Sequence, residues 1–103
     1  MKPELFDLVE LLIDLPEYHL FIGDRGAVVE CLDDTHFEIE FSNPDGETTA
    51  LCPLSTEQFM VVWQSETKQW LATGDKIKWM SDRLSEEKQE ELLNFARFLY
   101  QKA

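Results

Sequence analysis

With 103 residues the chain has room for one core and an appended element, not for two independent domains. Its 44% hydrophobic and 12% aromatic content is that of a folded protein, and no apolar run approaches the roughly 20 residues of a membrane span. The net charge of −12 resides entirely in residues 1–63, which carry fourteen acidic side chains against Lys2 and Arg25, whereas residues 64–103 carry seven of each sign. Strong nucleic-acid binding by the front part is thereby excluded, because such affinity rests on neutralising phosphates with Lys and Arg.

In chain order, the opening segment fits either a helix (Leu5, Leu8, Val9, Leu12) or a strand (Val9, Leu11, Ile13). The strand is preferred, since Leu15-Pro16 would cut a helix short. Gly26 to Leu32 is rich in β-branched residues and ends at a turn, Asp33-Asp34. The following run alternates, with Phe37, Ile39 and Phe41 on one face and His36, Glu38 and Glu40 on the other, so the two segments form a hairpin with one buried side. Asn43-Pro44-Asp45-Gly46 is the next turn, where Pro fixes φ and Gly supplies a positive φ. A strand over 47–52 follows and should end at Pro53, which cannot donate to a ladder. Ser55 to Gln58 makes a single helical turn, and Phe59 to Trp63 closes the set.

Short strands with tight turns around one small core predict a small barrel over residues 1–63. Residues 64–84 read as an irregular, aromatic-rich connection holding Trp70 and Trp79. Residues 85–103 predict an amphipathic helix, with Ser85 as N-cap, Glu86 and Glu87 in the first turn, and Lys102 near the end. Its apolar residues Leu92, Leu93, Phe95, Ala96, Leu99 and Tyr100 cover an arc of about 160°, with Phe98 on the shoulder.

The residue patterns offer little for catalysis. The paired carboxylates lie on an outward strand face or in a turn instead of converging in a pocket. His19, His36, Cys31 and Cys52 match no metal-ligand spacing, and each glycine stands alone where a phosphate loop would need several. The cysteines sit in apolar contexts and are expected to be buried reduced thiols. The chain is accordingly expected to be non-enzymatic, without cofactor or metal, and cytoplasmic. Lys68, Lys76, Lys78 and Arg83 are expected to act as countercharges to the acidic front part.

The runs Leu5-Phe6-Asp7-Leu8-Val9-Glu10-Leu11-Leu12, Asp14-Leu15-Pro16-Glu17-Tyr18, Gly23-Asp24-Arg25-Gly26-Ala27-Val28-Val29-Glu30, Phe37-Glu38-Ile39-Glu40-Phe41 and Asp45-Gly46 together resemble an uncharacterised bacterial family of small SH3-like barrel proteins. The resemblance implies a five-stranded barrel over about the first 62 residues and supplies no catalytic residue. Separately, Leu84 to Leu99 resembles a helix found in small antitoxin-related proteins, without their DNA-binding segment.

The expectation is a mainly β protein, a five-stranded SH3-like barrel with a C-terminal helix, that binds a basic partner as an antitoxin or immunity-type neutraliser of a toxin ribonuclease. Glu10, Glu30, Glu38, Glu40, Asp45 and Glu47 would steer that partner, and Trp70, Trp79, Phe95, Phe98 and Leu99 would anchor it. The alternative is an assembly subunit whose helix pairs with a second copy or docks in a larger complex.

Overall fold

Alternation of apolar and polar side chains accounts for most elements of the computed structural model, which describes residues 2–102. Strand β1 (Leu8–Leu11) buries Val9 and Leu11, β2 (Arg25–Cys31) buries Gly26 and Val28, and β3 (His36–Ser42) buries Phe37, Ile39 and Phe41. Strand β4 (Thr48–Ser55) buries Ala50, Cys52 and Leu54. In β5 (Phe59–Gln64) the alternation fails, because Phe59, Met60, Val61 and Val62 are all buried, as in a strand covered on both faces. A two-residue strand, β6 (Gln69–Trp70), completes one antiparallel sheet in the order β4-β3-β2-β1-β5-β6.

The sheet is not flat. Phe37 on β3 and Phe59 on β5 meet edge to face with ring centroids 6.1 Å apart, although β2 and β1 lie between their strands. Three strand spacings of about 4.8 Å would hold them about 14 Å apart in a flat sheet. Coiling therefore folds the inner face onto itself, and both rings are fully buried there. Gly26 is where the chain gives way. A Cβ at this position would come within 2.8 Å of the Glu40 carbonyl oxygen and 2.9 Å of the Phe41 ring, so only glycine leaves room for that ring.

Several expectations are corrected. The sheet has six strands where five were expected, and it is open and coiled, with no ladder joining β4 to β6 among the described residues. Residues 64–84 are not irregular, since they hold β6 and a helix, α1 (Thr73–Arg83). The hairpin into β6 lacks glycine and turns through Lys68 at φ 56, with the Lys68 N–H bonded to the Gln64 carbonyl at 2.8 Å. Pro53 does not end its strand. It lies within β4, the sheet's edge, where an absent N–H breaks no second ladder. Cys31 is exposed at the end of β2, while Cys52 is buried. Burial raises the Cys52 thiol above its ordinary value, Glu38 and Glu17 add to the shift, and the group stays protonated at neutral pH.

Other expectations hold. Gly46 has φ 84, and the Asn43 side-chain oxygen accepts from the N–H groups of Asp45 (3.0 Å) and Glu47 (2.9 Å), which closes the β3–β4 turn. The C-terminal helix, α2, runs Glu86–Lys102, and the Ser85 hydroxyl accepts the Lys88 N–H at 3.3 Å. Ala103, expected in this helix, and Met1, expected in the barrel, lie outside the described residues.

The chain divides into two units, Met1–Ala72 and Thr73–Ala103. The first unit includes β6, in which Trp70 pairs with Trp63 and Gln69 with Gln64. Asp7 is the buried acid of the first unit, 3% exposed. Its carboxylate accepts from the N–H and hydroxyl of Ser65 (2.8 and 3.0 Å) and from the Glu4 N–H (2.9 Å), which ties the start of the chain to the β5–β6 turn.

Candidate functional site

The outer face of the sheet is where the unusual side chains collect. Strand register places Leu51, Glu40, Ala27, Leu8, Trp63 and Trp70 directly opposite one another in turn, one from each of the six strands. Directly opposed residues have Cβ atoms about 5 Å apart, so these six form one row across the whole sheet. The row depends on two register shifts, at Leu8/Val9 and at Val28/Glu30, without which the strands would not align this way. Leu51 and Trp70 are more than half exposed.

Arg25 sits beside this row, opposite Glu10, with its guanidinium 5.2 Å from the centre of the Trp70 ring. That contact fixes the indole while leaving much of it in solvent. Leu8, Ala27, Arg25, Glu40, Ser42 and the Gly26 backbone line a shallow hollow of about 200 Å³. Its lining joins two apolar side chains with one cation, one anion and a hydroxyl.

Four of the acidic residues named from sequence share this face. Glu40 lines the hollow, Glu10 lies opposite Arg25, and Glu30 lies directly opposite Glu38. Like charges directly opposed across a ladder are unfavourable, so the Glu30–Glu38 pair costs the free protein stability. Asp45 and Glu47 are exposed at the β3–β4 turn, at the end of the sheet. Phe95, Phe98 and Leu99 are exposed on α2, in the second unit.

Two expectations are corrected at this level. Trp79 is no exposed anchor, being 5% exposed on α1 with the Arg83 guanidinium 3.9 Å over its ring. Of the four cations expected as countercharges to the acidic part, Lys78 bonds Asp82 at 2.9 Å and Arg83 also donates to the Trp79 carbonyl at 3.1 Å, both within α1. Sequence reasoning missed Leu8, Arg25, Ala27, Leu51 and Trp63. The clue was the polar–apolar alternation, which marks them as outward, but their alignment rests on the register shifts.

The β2–β3 loop is a separate polar cluster. The Asp33 carboxylate accepts from the Thr35 and His36 backbone N–H groups, each at 2.8 Å, and contacts the His36 Nδ1 at 3.1 Å. The Thr35 N–H foremost, then the His36 ring, hold its carboxyl below the usual carboxylate range. A lowered folded-state value contributes stability above the unfolded-state value of about 3.9, and that contribution is lost as the pH falls through the lower folded-state one. Asp33→Asn should therefore be less stable than the parent in urea unfolding at neutral pH, with the difference shrinking as the pH falls below about 4. A difference that grows on acidification would contradict the assignment.

Among the described residues no three His, Cys, Asp or Glu side chains come together as metal ligands, and no helix is long and apolar enough to cross a membrane. Comparison with curated proteins and with solved structures finds no match. One family model does match, over residues 5–61, a span that begins just before β1, ends within β5 and contains most of the outer-face row. The chain belongs to the family described as Domain of unknown function (DUF4926).

Proposed function

We propose that this chain is a non-enzymatic binding module that takes an extended, basic segment of a partner protein onto the outer face of its sheet. The observation that carries the reading is the cross-strand row, in which exposed Trp70 and Leu51 end a line of side chains that crosses the hollow lined by Leu8, Arg25 and Glu40, with Glu10 opposite Arg25. An aromatic anchor beside carboxylates suits a side chain with an aliphatic stem and a cationic head. The opposed Glu30 and Glu38 add a reason for the sign, since a cation placed between them relieves their repulsion. The net charge of −12 would steer such a partner in.

The fuller form of the proposal is an SH3-like barrel acting in the bacterial cytoplasm as an antitoxin or immunity-type neutraliser of a basic toxin. Support for the barrel comes from the order β4-β3-β2-β1-β5 and the Phe37–Phe59 contact. Support for the antitoxin role comes from the resemblance of the C-terminal helix alone.

Binding of fluorescein-labelled Lys- and Arg-rich peptides is the direct test, with Glu-rich peptides as control. Binding should weaken steeply as salt rises, because exposed charges are screened within about 10 Å at 0.1 M. Trp70→Ala should reduce affinity about thirtyfold, the loss of one aromatic anchor. Binding that ignores both salt and Trp70 would remove the sheet face from consideration. The antitoxin role has its own readout: co-expression should rescue growth from the product of a neighbouring toxic gene, and failure to rescue would remove that role while leaving the peptide result standing.

A further inference from the structure

Helix α2 contains no buried residue among those described, although it is strongly apolar on one side. Leu93, Phe95, Phe98 and Leu99 are each 44–58% exposed and Tyr100 is 88% exposed. The Phe95 and Phe98 rings stack on each other with centroids 6.2 Å apart, and the Lys102 ammonium lies 5.4 Å from the Phe98 ring. Five large apolar side chains on one 17-residue helix form a surface that gains by being covered.

We propose that α2 forms an antiparallel homodimer, its apolar stripe packed on the same stripe of a second copy. The argument is charge complementarity along the helix. Glu86, Glu87, Glu90 and Glu91 occupy its first half, while Arg97 and Lys102 occupy the second, which has no acidic residue; Lys88 is the one cation in the first half. Parallel pairing would set acid against acid. A uniformly basic or acidic partner would complement one half and be repelled by the other.

Antiparallel pairing resolves both problems about a single centre. A two-fold axis between Ala96 and Arg97 places Phe95 level with Phe98 of the second copy, Leu93 level with its Tyr100, and Glu91 level with its Lys102. Glu91 and Lys102 lie within about 20° of each other around the helix, so they meet on the same flank, twice by symmetry. The apolar patch and the charge pattern thus share one axis, as a self-complementary interface requires. This proposal does not rest on the binding function of the sheet.

Sedimentation velocity of the full chain provides the test, at protein concentrations up to about 100 μM, since a dimer forms by mass action. The expected result is a dimer that Phe95→Glu with Phe98→Glu converts to monomer while the far-ultraviolet circular dichroism stays unchanged. Orientation is read separately. Glu91→Lys should weaken association about tenfold, and adding Lys102→Glu should restore it to within about threefold. A parent chain that stays monomeric throughout, whether α2 then covers another part of the same chain or stands in solvent, would overturn the proposal. So would a dimer indifferent to the Phe95 and Phe98 changes, or a charge reversal that the second reversal fails to rescue.

Discussion

Phe37→Ala should lower the unfolding free energy by about 4 kcal/mol, read by urea denaturation with circular dichroism. Phe37 has no exposed surface, and its ring packs edge-on against Phe59, which is equally buried. Truncation removes the transfer energy of a phenyl group and leaves a cavity between two parts of the sheet that only the coiling brings together. Small domains are stable by about 5–15 kcal/mol, so the variant should be near the edge of folding at 37 °C. A double-mutant cycle using the gentler Phe37→Leu and Phe59→Leu isolates the ring contact itself, with an expected coupling of about 1 kcal/mol. Coupling indistinguishable from zero would mean that β3 and β5 do not meet, and the coiled sheet would have to be abandoned.

The core was legible from sequence where its cause is local. Period-two alternation in β2 to β4 follows from the pleat, and it identified Phe37, Ile39 and Phe41 as inward and Glu38 and Glu40 as outward. The Asn43–Glu47 turn and the Ser85 cap were legible for the same reason, since the residue types themselves make the bonds. What escaped depends on distant partners. Strand β6 is two residues long and is held by Trp63 across a turn without glycine, so no local pattern announces it. Helix α1 was hidden because its apolar residues are few and set among lysines. Asp7 looks like any acidic residue until Ser65, 58 positions later, closes on it. The candidate site falls between these cases. The outward direction of Glu10, Glu38 and Glu40 could be read, whereas that of Glu30 and the row that joins Leu51 to Trp70 are properties of register.

This dependence on register has a consequence for how the site can fail. In the proposed reading Glu10, Glu30, Glu38 and Glu40 steer from half-buried or exposed positions, and changing one of them alters a long-range field to which thirteen other acidic residues in the same part of the chain contribute. Loss of the row's alignment would instead separate Trp70 from the hollow without changing any residue of the proposed site. Backbone substitutions at β2 and β3 should therefore reach the proposed binding face through geometry, and one position tests this directly.

Gly26→Ala should destabilise the first unit by about 3 kcal/mol, a methyl group's worth of overpacking at a site that cannot yield. The new Cβ would stand 2.8 Å from the Glu40 carbonyl oxygen, 2.8 Å from the Ile39 Cγ2 and 2.9 Å from the Phe41 Cε1. The last two belong to fully or nearly fully buried side chains, and the first is backbone in the neighbouring strand, so β2 and β3 must move apart. Gly74 supplies the control. A Cβ there meets nothing within 4 Å at the start of α1, and Gly74→Ala should be neutral or stabilising by about 0.5 kcal/mol. Because Arg25, Ala27 and Glu40 all line the hollow, the displacement forced at Gly26 should also weaken peptide binding, measured under conditions where the variant is still folded. Equal stability of the two alanine variants would show that β2 and β3 approach less closely at Gly26 than the fold requires. A destabilised Gly26→Ala that binds basic peptides as tightly as the parent would instead separate the hollow from the binding face, leaving Trp70 and the carboxylates to act without it.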